Sequence, residues 1–370
     1  MVEMITEMME NALLSVVIPV HNGEKYIKKT VKRLLEQTYS NIEIILVENQ
    51  SKDHSYEICS LLANKDPRVK VLKSFEKGTS LARRMGVEHS LGDYITFSDQ
   101  DDTYINSNAL SEMISAIIED NTDICQFSYY KEYAPFLRRK IIKNDESAII
   151  NVDSIHEYAL RGVLDVHGGS FTTAVWDKIY KAELLKEAAT HVNESLFYAE
   201  DEYLNIWALT SPFLKTASLR REAFYCWKAN IGFSSKHTGQ VLLKDYEIVK
   251  PVIINLAKEQ REGDQYLWKI HGESLFCMRA VIFDMIRQKH DKGYIIQKIS
   301  EFSLMNYIIE AKEYFRNYPD QSVVWDSLKM MASEITPEEY YEYCCQEVPD
   351  RSFIDRVKSL FSKIESTLKQ

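Results

Sequence analysis

Three carboxylates crowd into four residues where Tyr94-Ile95-Thr96-Phe97-Ser98 runs into Asp99-Gln100-Asp101-Asp102. Like charges that close repel, and a divalent cation is the usual means of making such a cluster tolerable. The preceding apolar run reads as a strand, and ligands of open α/β sheets gather at the carboxyl ends of strands. Metal and phosphate binding is one chemistry that fits. A solvated acidic turn capping a helix around Asn106–Ile118 is the other. A second triplet, Glu200-Asp201-Glu202, opens an apolar-periodic segment. Negative charge is favoured at any helix N-terminus, but a carboxylate there can also act as a general base.

Three further segments carry candidate chemistry. Val47-Glu48-Asn49-Gln50-Ser51-Lys52-Asp53 places polar groups between a strand and a helix, where they suit either a nucleobase or a helix cap. Lys77-Gly78-Thr79-Ser80-Leu81-Ala82-Arg83-Arg84-Met85-Gly86 opens a helix with small residues and adds two guanidinium groups, which suit bidentate contact with phosphate or a charged surface. Trp176-Asp177-Lys178-Ile179-Tyr180 sets a large aromatic beside charges, as a sugar-binding surface or a helix anchor would.

The elements that must position these groups follow from apolar periodicity. Leu14–Val20 is a nearly continuous apolar run, as in a strand covered on both faces. Strands are also predicted over Ile42–Val47, Val69–Leu72, Tyr94–Ser98 and Asp123–Ser128. Helices are predicted over Tyr26–Gln37, Asp53–Ala63 and Thr79–Ser90. This alternation implies right-handed crossovers and a mostly parallel sheet with helices on both faces. After about residue 240, Gly and Pro become rare, and helical spacing runs through Leu242–Leu256, Tyr266–Arg287, Ile295–Phe315 and Val323–Ile335.

Bulk properties narrow the class. The 370 residues allow two or more domains, and 45% hydrophobic with 27% charged residues is a globular composition. A net charge of -10 argues against general nucleic-acid binding. The six cysteines have no metal-site spacing and read as core residues of a reducing compartment. The leader Met1–Asn11 holds Glu3, Glu7 and Glu10, unlike a signal peptide, and no stretch approaches the ~20 apolar residues of a membrane span. A cytoplasmic protein is expected.

Taken together, these segments resemble the family 2 glycosyltransferases, inverting enzymes of GT-A fold, over about residues 13–240. The likeness rests on Val16-Val17-Ile18-Pro19-Val20-His21-Asn22-Gly23, on Ala82-Arg83 with Gly86, on Asp99-Gln100-Asp101, on Trp176-Asp177-Lys178 and on Glu200-Asp201. It implies an α/β GT-A nucleotide-diphospho-sugar transferase domain at 13–240, after a leader at 1–12 and before a helical region at 241–370. By the same resemblance, Pro19, His21, Glu48 and Asn49 line the nucleoside pocket, with Arg83 near base or phosphate and Gln100 in the donor site. Asp99 faces ribose and metal, and Asp101 ligates Mn²⁺ or Mg²⁺. Asp201 is the catalytic base with Glu200 beside it, and Trp176, Asp177 and Lys178 meet the acceptor. The family's usual Asp-Asp-Gly-Ser is replaced by Glu48-Asn49-Gln50-Ser51, and its usual Asn by Arg84.

The resemblance further implies transfer from a nucleoside-diphosphate sugar, a UDP-sugar being favoured, to a saccharide or lipid-linked saccharide in cell-surface polysaccharide synthesis. A non-catalytic nucleotide-sugar binding or scaffold protein of the same fold is the alternative. A nucleotidyltransferase would carry a Gly-rich basic loop after the first strand, where this chain has His21-Asn22-Gly23-Glu24. Finally, Ser352–Leu368 aligns Phe353, Ile354, Val357, Leu360, Phe361, Ile364 and Leu368 on one stripe beside basic residues. That helix suits a contact with the protein body or a second subunit, or with the inner face of an anionic membrane.

Overall fold

The computed structural model describes residues 2–134, 137–141, 147–151, 171–197, 199–228, 238–259, 264–318, 333 and 335–347. The chain forms two compact units, Met1–Ile270 and His271–Gln370. The first therefore continues past the change in composition near residue 240.

The first unit opens with α1 (Val2–Asn11). The expected leader is a docked helix: Met9 and Ala12 pack on the core, and the Tyr39 hydroxyl donates to the carbonyls of Met9 and Ala12. Then follow β1 (Leu14–Val20), α2 (Ile27–Leu35), β2 (Ile42–Glu48), α3 (Ser55–Lys65), β3 (Val69–Lys73), α4 (Thr79–Glu88) and β4 (Tyr94–Phe97). These match the predicted alternation closely. The four strands are parallel in the order β3-β2-β1-β4, so the order reverses at β1 and a crevice opens at the ends of β1 and β4.

Pro19 fits that crevice for a stereochemical reason. The carbonyl of Val17 accepts from Ser98 on the β4 side, while the carbonyl of Val20 accepts from Asn49 on the β2 side. Pro19 is in phase with Val17, so its missing N–H faces β4 beyond the last strand pair, Val17 with Phe97. No ladder bond is lost there.

The second half of the sheet is mixed. It comprises β5 (Thr103–Tyr104), α5 (Ala109–Asp120), β6 (Ile124–Ala134), β7 (Leu137–Ile141), β8 (Ala148–Asn151), β9 (Lys178–Lys181), α6 (Ala182–Ala189), α7 (Glu200–Thr210) and β10 (Thr216–Lys228). β9 lies antiparallel between β4 and β6, β10 is parallel to β6, and β7 continues along the β9 edge of β6. β10 was hidden in the sequence because Arg220-Arg221-Glu222 interrupts its apolar run. A register shift between Arg220 and Ala223 turns Arg221 and Glu222 out to solvent while the strand continues.

The unit closes with α8 (Thr238–Glu259) and the start of α9 (Asp264–Arg287). The second unit holds the rest of α9, α10 (Lys292–Ser303), α11 (Asn306–Asn317) and α12 (Pro337–Glu347). The helix predicted over Ile295–Phe315 is two helices, because Met305 adopts an extended conformation after the cap at Leu304. Most of Val323–Ile335 and all of Ser352–Leu368 lie outside the described residues. None of the six cysteines forms a disulfide, and among the described residues no helix is long and apolar enough to cross a membrane.

Candidate active site

Three strand ends meet at the crevice. His21 follows β1, Asn49 follows β2, and Ser98-Asp99-Gln100-Asp101-Asp102 follows β4. The Gln100 side chain joins two of them: its Oε1 accepts from the His21 N–H and its Nε2 donates to the His21 carbonyl, both at 3.0 Å. Gly23 leaves room for this amide, since a Cβ there would lie 2.2 Å from Gln100 Oε1 and displace it. The His21 ring reaches Asn49 O through Nδ1 at 2.7 Å.

Glu48 and Asn49 are buried and act one layer down. Glu48 Oε1 accepts from Ser51 N–H at 2.6 Å, and Asn49 Oδ1 from Gly78 N–H at 3.1 Å. They hold the turn at Gln50, whose φ of 51° explains why a glycine suits this place in the related pattern. Pro19 and His21 remain partly exposed at the mouth.

α4 brings Arg83 beneath these ends. Gly86 lets the helix lie against β1, where a Cβ would come within 2.2 Å of Val17 Cγ1. Arg83 is buried, with Nη1 at 2.7 Å from Glu200 Oε1 and 2.6 Å from Asp201 Oδ1, and Nη2 at 3.4 Å from Asp99 Oδ1. The guanidinium thus ties both carboxylate motifs together rather than reaching toward a phosphate. Arg84 instead points outward and pairs with Glu88 and Glu194.

Two anchors aim Glu200 and Asp201 at this cation. Asn205, one turn into α7, donates to the carbonyls of Thr173, Ala174 and Asp201 and accepts from the Tyr180 hydroxyl. Asp245 on α8 accepts through Oδ2 from the N–H groups of Phe197 (2.9 Å) and Ala199 (3.0 Å), immediately before α7. Tyr225 of β10 fixes the other motif: its hydroxyl accepts from the Asp99 N–H at 2.8 Å. Asp102 Oδ1 accepts from Lys228 N–H at 2.9 Å, and Lys228 Nζ donates to the Asp101 carbonyl. Asn205, Tyr225 and Asp245 carry no motif that sequence reasoning could have caught.

The electrostatics are unbalanced. Among the described residues, the five carboxylates of Asp99, Asp101, Asp102, Glu200 and Asp201 face the cations of Arg83 and Lys228, with the more distant Lys178 acting on Asp201. Burial, reinforced by Asp99, pushes Asp101 up to about 6. Burial and the neighbouring Asp201 raise Glu200 to about 7, against the pull of Arg83. Asp201 rises to about 6, again mainly through burial. Asp102 is raised well above the carboxylate range by burial and by Asp99 and Asp101. Burial opposes charge on Arg83, but Asp201, Glu200 and Asp99 outweigh it and keep the guanidinium protonated.

The donor set suits a hard cation. Asp101 is nearly buried, at 8% exposure, and its carboxylate faces a surplus of negative charge. Among the described residues no group of three His, Cys, Asp or Glu side chains is arranged around one point. A nucleotide-borne Mg²⁺ or Mn²⁺ does not need three, since it commonly takes one or two carboxylates plus phosphate oxygens.

Of the three residues expected to meet the acceptor, Trp176 stacks on Tyr225 with ring centroids 4.8 Å apart and meets Tyr129 edge-on at 4.9 Å. Asp177 and Lys178 depart from expectation. Both are fully buried and paired at 2.9 Å, and Lys178 Nζ also donates to Thr172 O, Thr172 Oγ1 and Ala174 O. They hold the 171–180 segment together and present no surface to an acceptor. Their charge reads as a sugar-binding composition in sequence, but four oxygen partners satisfy the ammonium internally.

The family model described as Glycosyl transferase family 2 matches residues 15–180. Glycosyltransferase GlyG of Streptococcus pneumoniae is 40% identical over 310 residues, 76% of this chain and 99% of that protein. Glycosyltransferase EpsJ of Bacillus subtilis, named as uncharacterized, is 29% identical over 220 residues, 59% of this chain and 61% of its own length. Among solved structures, TarS of S. aureus, residues 1–349 in complex with UDP-GlcNAc, superposes with a TM-score of 0.61 at 19% identity. It covers 89% of this chain and 91% of that one. This likeness shows the GT-A fold.

Proposed function

From the premise that the chain belongs to glycosyl transferase family 2, we propose that it moves a sugar from a UDP-sugar to a hydroxyl of a saccharide or lipid-linked saccharide acceptor, with inversion. The observation that carries this reading is Arg83, which holds Glu200 and Asp201 against the Asp99 end of β4 at the switch-point crevice. The UDP complexes of TarS, a protein of similar fold, favour uridine as the base.

Each residue then has a task. His21 and Pro19 line the nucleoside side of the crevice. Asp101, with Asp99, would hold Mn²⁺ or Mg²⁺, which when bound offsets negative charge on the diphosphate. A sugar hydroxyl is a weak nucleophile at neutral pH. Asp201, about one-fifth exposed at 21% and with its affinity for protons raised, takes that proton as the oxygen attacks the anomeric carbon. The new C–O bond forms as the bond to the β-phosphate oxygen breaks, and the nucleoside diphosphate leaves with both electrons. Arg83 keeps Asp201 in place and limits how far its affinity for protons rises. Glu200, pushed up to about 7, shares the guanidinium and stays nearer neutral.

A scaffold role for the same fold is less consistent with buried carboxylates kept at a cost in charge repulsion. The test is a panel of UDP-, GDP- and dTDP-sugars assayed for Mn²⁺-dependent binding and for release of nucleoside diphosphate. Binding of a UDP-sugar with slow hydrolysis supports transfer; binding with no turnover on any acceptor supports the scaffold. Synthesis of a cell-surface polysaccharide at the inner face of the membrane is the setting we propose for this activity.

A further inference from the structure

One row of side chains beyond the carboxylate cluster has no part in this chemistry. β6 pairs with β7 on one edge and β10 on the other, and the register sets Arg139 opposite Lys131 and Lys131 beside Trp227. Residues paired this way project from one face of a sheet. Lys131 Nζ accordingly lies 4.6 Å from the Trp227 ring centroid and 5.3 Å from that of Tyr133. Two residues back along each strand, Tyr129 and Tyr225 share the face, and Trp176 packs on both. Trp227 itself lies parallel to Trp176, with centroids 6.3 Å apart. The face therefore runs unbroken from the residues that fix Asp99 out to Arg139.

Its charge is uncompensated. Glu132 points to the other face, where it neutralises Arg138 at 2.5 Å. Among the described residues no carboxylate pairs with Lys131 or Arg139. Like charges directly across a strand pair are destabilising, and partial burial further disfavours the Lys131 ammonium. An acidic chain, at -10 overall, thus keeps two facing cations beside an aromatic row.

We propose that this face is an acceptor subsite for a saccharide chain bearing anionic groups, phosphodiester or carboxylate, with sugar rings against Trp227 and Tyr133 and an anion between Lys131 and Arg139. The proposal rests on the sugar-transfer reading and adds the chemical class of its acceptor. Half-buried Trp227 and exposed Tyr133 supply apolar ring surface with little rotamer entropy to lose. Charge-assisted contacts to the two cations would supply the preference for an anion.

The full chain is titrated calorimetrically with tetramers of galacturonic acid, of glycerol phosphate and of neutral maltose-type glucose, and in parallel with UDP. At least one anionic tetramer should bind about tenfold or more tighter than the neutral one, a preference that fades with added salt. Which of the two binds names the source of the anion. The double variant Lys131→Gln/Arg139→Gln should lose the preference while keeping its UDP affinity, which also reports that it folds. Trp227→Ala should weaken all three tetramers. Equal affinity for the three tetramers, no binding of any, or a preference that survives the double variant would overturn the proposal. Loss of UDP binding by the unmodified chain, with the anionic preference intact, would instead sink the sugar-transfer reading and leave the subsite standing.

Discussion

Asp201 Oδ1 stands 2.6 Å from Arg83 Nη1, the same nitrogen that donates to Glu200 Oε1 at 2.7 Å. One buried guanidinium group thus restrains two carboxylates whose repulsion would otherwise separate them. Removing one partner of a buried ion pair is costly because the other charge is left uncompensated. Arg83→Met should destabilise the protein by about 3–5 kcal/mol in urea unfolding. Arg83→Lys keeps a charge without the planar fork, so it should recover most of the stability but little of the turnover. Equal turnover in Arg83→Lys and the unmodified protein would mean the fork has no part in positioning Asp201.

The raised carboxylates set a stability trend in the protein without nucleotide or metal. Asp101 and Asp201 are pushed up to about 6 and Glu200 to about 7, above their ordinary values. A group whose folded pKa exceeds its unfolded one binds protons more tightly when folded, so its contribution is present at low pH and lost as pH rises through the folded value. Carboxylates lowered by folding, such as Asp66, Asp123 and Glu43, add their stability above their unfolded values, so they oppose the trend only at the low end of this window. The melting temperature should therefore fall between about pH 4.5 and 7.5. Added UDP with Mn²⁺ should flatten that fall. A melting temperature that rises across the window would contradict the charge balance described for the site.

Asp101 can be separated from the fold. Asp101→Asn removes a crowded charge, so the variant should be as stable as the unmodified protein or more so at pH 7.5. Its affinity for UDP should become independent of Mn²⁺. Unchanged Mn²⁺ dependence in calorimetry would move the ligand role to Asp99 or Asp102.

Asp245 lies beyond the residues matched by the family model, yet it accepts from both N–H groups that lead into α7. Asp245→Ala should loosen the approach of Asp201. Turnover should drop about tenfold with the KM for donor nearly constant, since the proposed donor pocket lies at the ends of β1, β2 and β4. Asp245→Asn, which can still accept, should restore part of it. A rise in donor KM with no change in turnover would make this contact purely structural.

Much of this was legible in sequence because the first half obeys local rules. β1 to β4 are apolar runs separated by amphipathic helices, and their ends carry the polar residues that meet at the crevice. The Asp99–Asp102 cluster stood out because it ends a strand, Glu200-Asp201 because it opens a helix, and His21 through the family resemblance. The second half was opaque for physical reasons. β10 conceals itself behind a bulge that expels Arg221 and Glu222. Lys178 and Asp177 look like surface charges until Thr172 and Ala174 are seen to satisfy the ammonium. Asn205, Tyr225 and Asp245 act through contacts with residues far away in the chain, which no local spacing encodes.

The central claim is that Asp201 accepts the proton of the acceptor hydroxyl, and Asp201→Asn tests it most directly. The amide keeps the shape of the side chain but cannot take a proton. Single-turnover transfer from a UDP-sugar should slow by about 10² or more, with donor affinity within about twofold of the unmodified protein. A variant that turns over at the unmodified rate, or one that loses donor affinity as steeply as rate, would place the base elsewhere.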